Sequence, residues 1–219
     1  MTRGGRWLLV FLLALAAGIG AYYASRAWFA PEPVEKPAMP AVPAVPAVPA
    51  AVIPDRRPEI TLADRDGMPR SLSEWNGRPQ VINFWATWCA PCRREIPMLN
   101  QLATDGAHPD IALIGIAIDF REDVLTYLEK TPIDYTVLIG EQEGLDAARA
   151  FGVETLGLPF TAFTDSKGRI ATIHVGELHR PEAEAVLKLM REVDSGTIDM
   201  AAARAEIREK LAEPAQSGG

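Results

Sequence analysis

"INFWATWCAPCRREIP", residues 82–97, holds both cysteines of the 219-residue chain, Cys89 and Cys92, within four positions. The apolar, β-rich run "QVINFWA" at 80–86 predicts a buried strand. The helical spacing of Cys92, Ile96, Leu99, Leu102 and Ala103 predicts a helix over 90–104 with these residues on its inner stripe. A strand that feeds a helix through Cys-x-x-Cys gives each sulfur a job. Cys89 falls at the helix N-terminus, where unpaired N–H groups and the helix dipole stabilise a thiolate. The thiolate is the nucleophile of disulfide exchange, so Cys89 is the expected attacking group. Cys92, one turn in and shielded by the stripe, is the expected resolving thiol. Pro91 stiffens the turn without removing a needed helix donor.

Other uses of two thiols fit less well. A structural disulfide gains from closing a long loop, and this pair closes almost nothing. Haem attachment needs a histidine after the second cysteine, where Arg93 stands. A structural zinc needs four ligands, and His108, His174 and His179 have no ligand spacing to the pair. Cu(I) held by the two thiolates, as in a copper-delivery module, is the alternative outside catalysis. A thiol oxidase or isomerase is the alternative within it.

Around this centre the chain reads as helices alternating with buried strands. Strands are predicted at 59–62, 111–118 and 134–139, with helices over "EDVLTYLEK" and "GLDAARAFG". "FTAFTD" and "RIATIHV" flank the turn "SKG" and predict an antiparallel hairpin. Pro181 opens a further helix, and Asp199 is placed to cap a last one running to about Ala212. The expected fold class is an α/β sandwich around a central mixed, mostly parallel sheet flanked by helices.

Ahead of this domain, residues 7–25, "WLLVFLLALAAGIGAYYAS", carry no charge and lie between Arg6 and Arg26. Nineteen helical residues at about 1.5 Å each approach the ~30 Å hydrocarbon thickness of a bilayer. The arginines in front favour an N-terminus held in the cytoplasm. Residues 1–30 are therefore read as a transmembrane anchor, with a cleaved signal peptide as the alternative. Residues 31–54 repeat "AVP" three times from Ala41 and read as an extended tether. The domain spans 55–193 and a helical tail 194–219. The net charge of −7, with no basic patch, gives no indication of nucleic acid.

"FWATWCAPCRREIP", with Trp88 before the cysteines and Pro97 in the following helix, resembles the active site of the thioredoxin superfamily. More narrowly, it resembles the membrane-anchored TlpA/ResA/CcmG-type thiol-disulfide reductases. The resemblance extends to "GLP" at 157–159, where the family carries a cis-proline, and to a helix-plus-strand insertion near 121–139. It implies a thioredoxin-like fold and a cis Pro159 that offers the backbone of Leu158 to an extended partner segment. Trp88, Ala90 and Pro91 are the further expected substrate contacts, Trp88 at the rim and Trp85 in the core. Phe160 stands where relatives often carry threonine, which places a question on the substrate groove.

Two positions bear on proton transfer. Asn83 occupies the strand position where ordinary thioredoxins carry a buried aspartate. Glu95 lies three residues after Cys92 on the apolar stripe, so burial should raise its pKa and suit it to exchange a proton with that thiol. The Ala-Pro dipeptide adds no positive charge, and weak stabilisation of the thiolate predicts a low potential and a reductant. Arg93 and Arg94 argue mildly the other way. No cofactor beyond the redox-active cysteine pair is expected. An exported reductant has no soluble thiol supply, so the resemblance implies recharging by a transmembrane transporter of CcdA/DsbD type. It also implies a protein disulfide as substrate, with apocytochrome c or a copper chaperone as candidates. The expected site is the inner membrane, with the catalytic domain periplasmic.

Overall fold

The computed structural model describes residues 53–154 and 157–212, with Ile19 described alone ahead of them. The expected anchor at 7–25 and tether at 31–54 lie outside the described residues, apart from Ile19, Ile53 and Pro54. No helix among the described residues is long and apolar enough to cross a membrane.

In chain order the elements are β1 (Thr61–Asp64), β2 (Pro69–Ser71), a 3-10 turn (Leu72–Trp75), β3 (Gln80–Trp85), α1 (Ala90–Thr104), β4 (Ala112–Ala117) and α2 (Arg121–Lys130). They continue with β5 (Thr136–Ile139), α3 (Gln142–Ala150), β6 (Phe160–Thr164), β7 (Ile170–Val175), α4 (Arg180–Asp194) and α5 (Met200–Ala212). The seven strands form one sheet in the order β2-β1-β5-β4-β3-β6-β7. This is a thioredoxin-like α/β fold. The sheet is mixed, as expected, but not mostly parallel: β4 runs parallel to β3 and β5, and the remaining four pairings are antiparallel. The physical reason is that hairpins form both edges of the sheet, β1-β2 at one and β6-β7 at the other, while helical crossovers serve only the centre.

β3 and β4 are buried at every position, as continuous apolar runs covered on both faces require. Alternation along each strand separates two core layers. Val81, Trp85, Leu113 and Ala117 face one layer with α1, α2, α4 and α5; Ile82, Phe84, Ile114 and Ile116 face the other with α3 and the 3-10 turn. Ala103, expected on the inner stripe of α1, is exposed. A helix advances 100° per residue, so a position one beyond Leu102 has already turned toward solvent.

The β6-β7 hairpin closes through Asp165, whose Oδ1 accepts from the Lys167 and Arg169 N–H groups, with Gly168 at φ +74°. α5 belongs to the same core layer as α1, burying Met200, Ala203 and Ile207, and Asp199 Oδ1 accepts from the Ala202 N–H at 2.8 Å. Arg204 on α5 donates to the Ile170 carbonyl at 2.7 Å and pairs with Asp55 at 3.1 Å. The Ile170 N–H in turn donates to the Asp55 carbonyl. The segment ahead of β1 and the helix α5 thus meet at the start of β7. Truncating the α5 side chain that packs deepest, Ile207→Ala, should lower the unfolding free energy by about 2–5 kcal/mol. Urea unfolding of the full chain measures it; a loss within about 0.5 kcal/mol would mean that α5 adds nothing to the core.

Candidate active site

The cysteines lie at the C-terminal end of β3, and the pairing registers bring three other segments to the same end. β6 runs antiparallel to β3 with Phe84 opposite Phe160, so Leu158 and Pro159 stand level with the residues that lead to Cys89. β4 runs parallel, which brings Asp119 and Phe120 alongside. β7 pairs Val175 with Phe160, and the Gly176 N–H donates to the Pro159 carbonyl at 2.8 Å. The Leu158–Pro159 peptide is cis.

Cys89 is the N-cap of α1 and is disulfide-bonded to Cys92, with Cα atoms 5.3 Å apart. The Cys92 N–H, one of the helix's otherwise unpaired donors, points at Cys89 Sγ at 3.3 Å. Cys89 keeps a sliver of exposure, 5%, between exposed Trp88 and exposed Ala90, whereas Cys92 has none. The loop before them is tied down by Asp119, whose Oδ2 accepts from the Thr87 N–H at 3.0 Å and the Thr87 hydroxyl at 2.5 Å. Trp88 is 61% exposed at the rim and Trp85 is fully buried. Two rim residues that the sequence reading did not single out are Phe120 and Val175, 59% and 60% exposed. A single exposed apolar residue carries no periodic signal, so only the topology reveals that these share an end with the cysteines.

Phe160 answers the question raised by its departure from the family pattern. Its ring stacks on Phe84 at 4.2 Å between centroids, in the core layer opposite the cysteines. Alternation along β6 turns residue 160 away from them, so this substitution does not enter the groove.

Beneath the disulfide, Glu95 is only 2% exposed. Its Oε1 accepts from Asn83 Nδ2 at 2.8 Å and its Oε2 from the Leu178 N–H at 2.7 Å. Burial pushes the carboxyl up to about 7; the two hydrogen bonds pull it partly back, and the nearby Glu177 charge adds to the rise. Asn83 therefore does more than delete an acid: it supplies a donor to the acid on α1. The adjacent Arg94 pairs with Glu177 at 2.5 Å, and Arg93 Nη1 reaches the Thr87 carbonyl at 3.4 Å, both side chains lying at the surface. Leu178 and Glu177 were missed from sequence because they stand 83 residues from Glu95 and Arg94.

With this geometry in view, the comparisons with known proteins are specific. The Redoxin family model matches residues 53–187. The chain belongs to the Redoxin family. It is 30% identical over 138 residues to the thioredoxin-like protein YneN of Bacillus subtilis, covering 60% of this chain and 76% of that one. It is 25% identical over 135 residues to the thiol-disulfide oxidoreductase ResA of Geobacillus thermodenitrificans, covering 61% and 75%. A solved structure of a thioredoxin-family thiol:disulfide interchange protein from Chlorobium tepidum superposes with a TM-score of 0.55 at 27% identity, covering 64% of this chain and 97% of that one. This Redoxin-family chain is a thiol-disulfide oxidoreductase of the thioredoxin superfamily.

The elevated Glu95 carboxyl has a signed consequence for stability. The unfolded group ionises near 4.5 and the folded one near 7, so between these pH values the folded state holds the extra proton. The group's stabilising contribution is complete below about pH 4.5 and disappears as pH rises through about 7, a change of about 3 kcal/mol. Urea unfolding of the oxidised chain and of Glu95→Gln, measured from pH 4.5 to 8, should diverge in this sense. Parallel pH profiles would show that Glu95 titrates as an ordinary carboxylate.

Proposed function

We propose that the protein is a reductant of protein disulfides outside the cytoplasm, with Cys89 attacking, Cys92 resolving and Glu95 taking the proton that Cys92 must lose. In the reaction the Cys89 thiolate attacks one sulfur of a substrate disulfide and expels the other as a thiolate, leaving a mixed disulfide. Cys92 passes its proton to the Glu95 carboxylate and attacks Cys89 Sγ, releasing the second substrate thiolate. The substrate gains two electrons, the cysteine pair loses them, and the released thiolates take up protons.

The observation that carries the reductant direction is the scarcity of positive charge at the Cys89 sulfur. Ala90 and Pro91 bring none, Arg94 is held by Glu177, and Arg93 reaches back to a carbonyl. A thiolate supported mainly by the mouth of a helix gives a less oxidising pair than one flanked by fixed cations. The apolar rim of Trp88, Pro91 and Leu158, extended by Phe120 and Val175, suits an extended polypeptide laid against the backbone of Leu158 beside the cis Pro159. No cofactor enters this scheme beyond the disulfide itself.

The apolar segment at 7–25 and the Pro-rich tether support a domain anchored in the inner membrane and facing the periplasm. In that compartment the electrons must come from a membrane thiol-disulfide transporter of CcdA/DsbD type. Among protein disulfides, the oxidised Cys-x-x-Cys-His of apocytochrome c is the leading substrate, ahead of copper chaperones.

Equilibration of the full chain with a dithiothreitol couple should return a potential nearer about −270 mV than about −120 mV. A value at the upper figure would make the protein an oxidant. The Cys92→Ser chain, expressed in cells, should hold substrates covalently on Cys89, releasable by reductant. Failure to trap any partner, while Cys89→Ser with Cys92 retained does trap, would reverse the two roles.

A further inference from the structure

The polar groups buried under the disulfide continue past Glu95. Asn83 Nδ2, which gives one hydrogen to Glu95 Oε1, gives the other to Thr161 Oγ1 at 3.0 Å. Asn83 and Thr161 are fully buried, and they face each other across the β3-β6 pairing. Glu95 therefore ends a row that crosses the sheet, from the Thr161 hydroxyl through the Asn83 amide to the carboxylate. Among the described residues the Asn83 Oδ1 atom has no partner, and both hydrogen bonds of this side chain are donations.

A donor fixed on a buried carboxylate favours its charged form, and acceptance of the second amide hydrogen by Thr161 Oγ1 holds the Asn83 side chain with its NH2 group, not its oxygen, toward Glu95. Desolvation works in the opposite sense and would, unopposed, leave Glu95 protonated and unable to accept from Cys92. We propose that Asn83 is a positioning residue which, backed by Thr161, keeps Glu95 able to ionise in the neutral range where Cys92 must lose its proton. This rests on the reading of Glu95 as the proton acceptor of Cys92. It assigns the strand asparagine and a β6 threonine a part in the exchange, although neither approaches the substrate. An aspartate at 83 could not take the part, because a second buried negative charge would oppose ionisation of Glu95.

The other ionisable groups around Glu95 come from four segments. The loop after β7 brings Glu177, which raises the carboxyl and is itself paired with Arg94. β7 brings His174, the cross-strand neighbour of Thr161, whose Nε2 meets the Glu177 carbonyl at 3.3 Å. Tyr135, just before β5, is a buried phenol pushed upward by burial and by the Glu95 charge. α1 itself carries Cys92. None of these donates to Glu95; Asn83 and the fixed Leu178 N–H do.

The test is the titration midpoint of the Glu95 carboxyl carbon, followed by NMR in the oxidised full-length chain labelled with carbon-13 in glutamate. Alongside it runs the pH dependence of the rate at which the reduced chain cleaves a small peptide disulfide. Glu95→Gln assigns the signal and should abolish the rate inflection, separating it from His174. Asn83→Leu should move both midpoints upward by one pH unit or more, a tenfold change in proton affinity. Thr161→Val should move them in the same direction by less, and Thr161→Ser, which restores the hydroxyl, should return them to the native value. The Thr161 pair keeps the test open should Asn83→Leu fail to fold. Midpoints that stay in place in Asn83→Leu, or that shift equally in Thr161→Val and Thr161→Ser, would overturn the inference while leaving Glu95 as the acceptor. A rate inflection that survives Glu95→Gln would instead remove the acceptor reading and this inference with it.

Discussion

A strand paired on both edges and covered on both faces has nowhere to move, and the rest of this molecule is referred to that fact. β3 lies between a parallel neighbour and an antiparallel one, with every side chain buried. Where it stops, the chain must turn at once into α1, and the turn delivers Cys89 to the helix mouth. The same two neighbours carry Asp119 and Pro159 to that spot. The environment of the sulfur is thus a by-product of sheet register, which is a more rigid determinant than any loop.

Beneath the sulfur the structure holds two opposed tendencies in one side chain. Taking a carboxylate out of water penalises its charge, while donors aimed at it favour that charge. Neither wins outright at Glu95, and the result lies near neutrality. A fully exposed acid would be a poor match for a thiol proton, and a buried one without donors would never let go of its own. The donors come from β3 and from the loop after β7, so the compromise is held by two segments far apart in the chain.

Much of this was legible in one dimension. The apolar run at 80–86, the stripe of α1, the "SKG" turn and the Asp199 cap each report a local physical requirement, and the structure meets them at nearly the expected residues. The burial of Glu95 also follows from local pattern, whereas local pattern alone did not decide which of Trp85 and Trp88 takes the rim. What could not be read were relations across the fold. Thr161 and Leu178 meet the Asn83–Glu95 pair only because β6 and the loop after β7 are laid beside β3 and α1, and periodicity says nothing about who lies beside whom. The direction of Phe160 was hidden for the same reason: its face depends on the register of β6 by a single residue. The short strand β2, only three residues long, offered too little alternation to stand out from a turn.

The clasp of Arg204 on Asp55 and Ile170 has a geometric corollary. It gathers the chain's way into the domain and its closing helix at the start of β7, whereas the cysteines stand by that strand's far end. Among the described residues, the segment that leads into β1 is thus fastened at the pole remote from the chemistry.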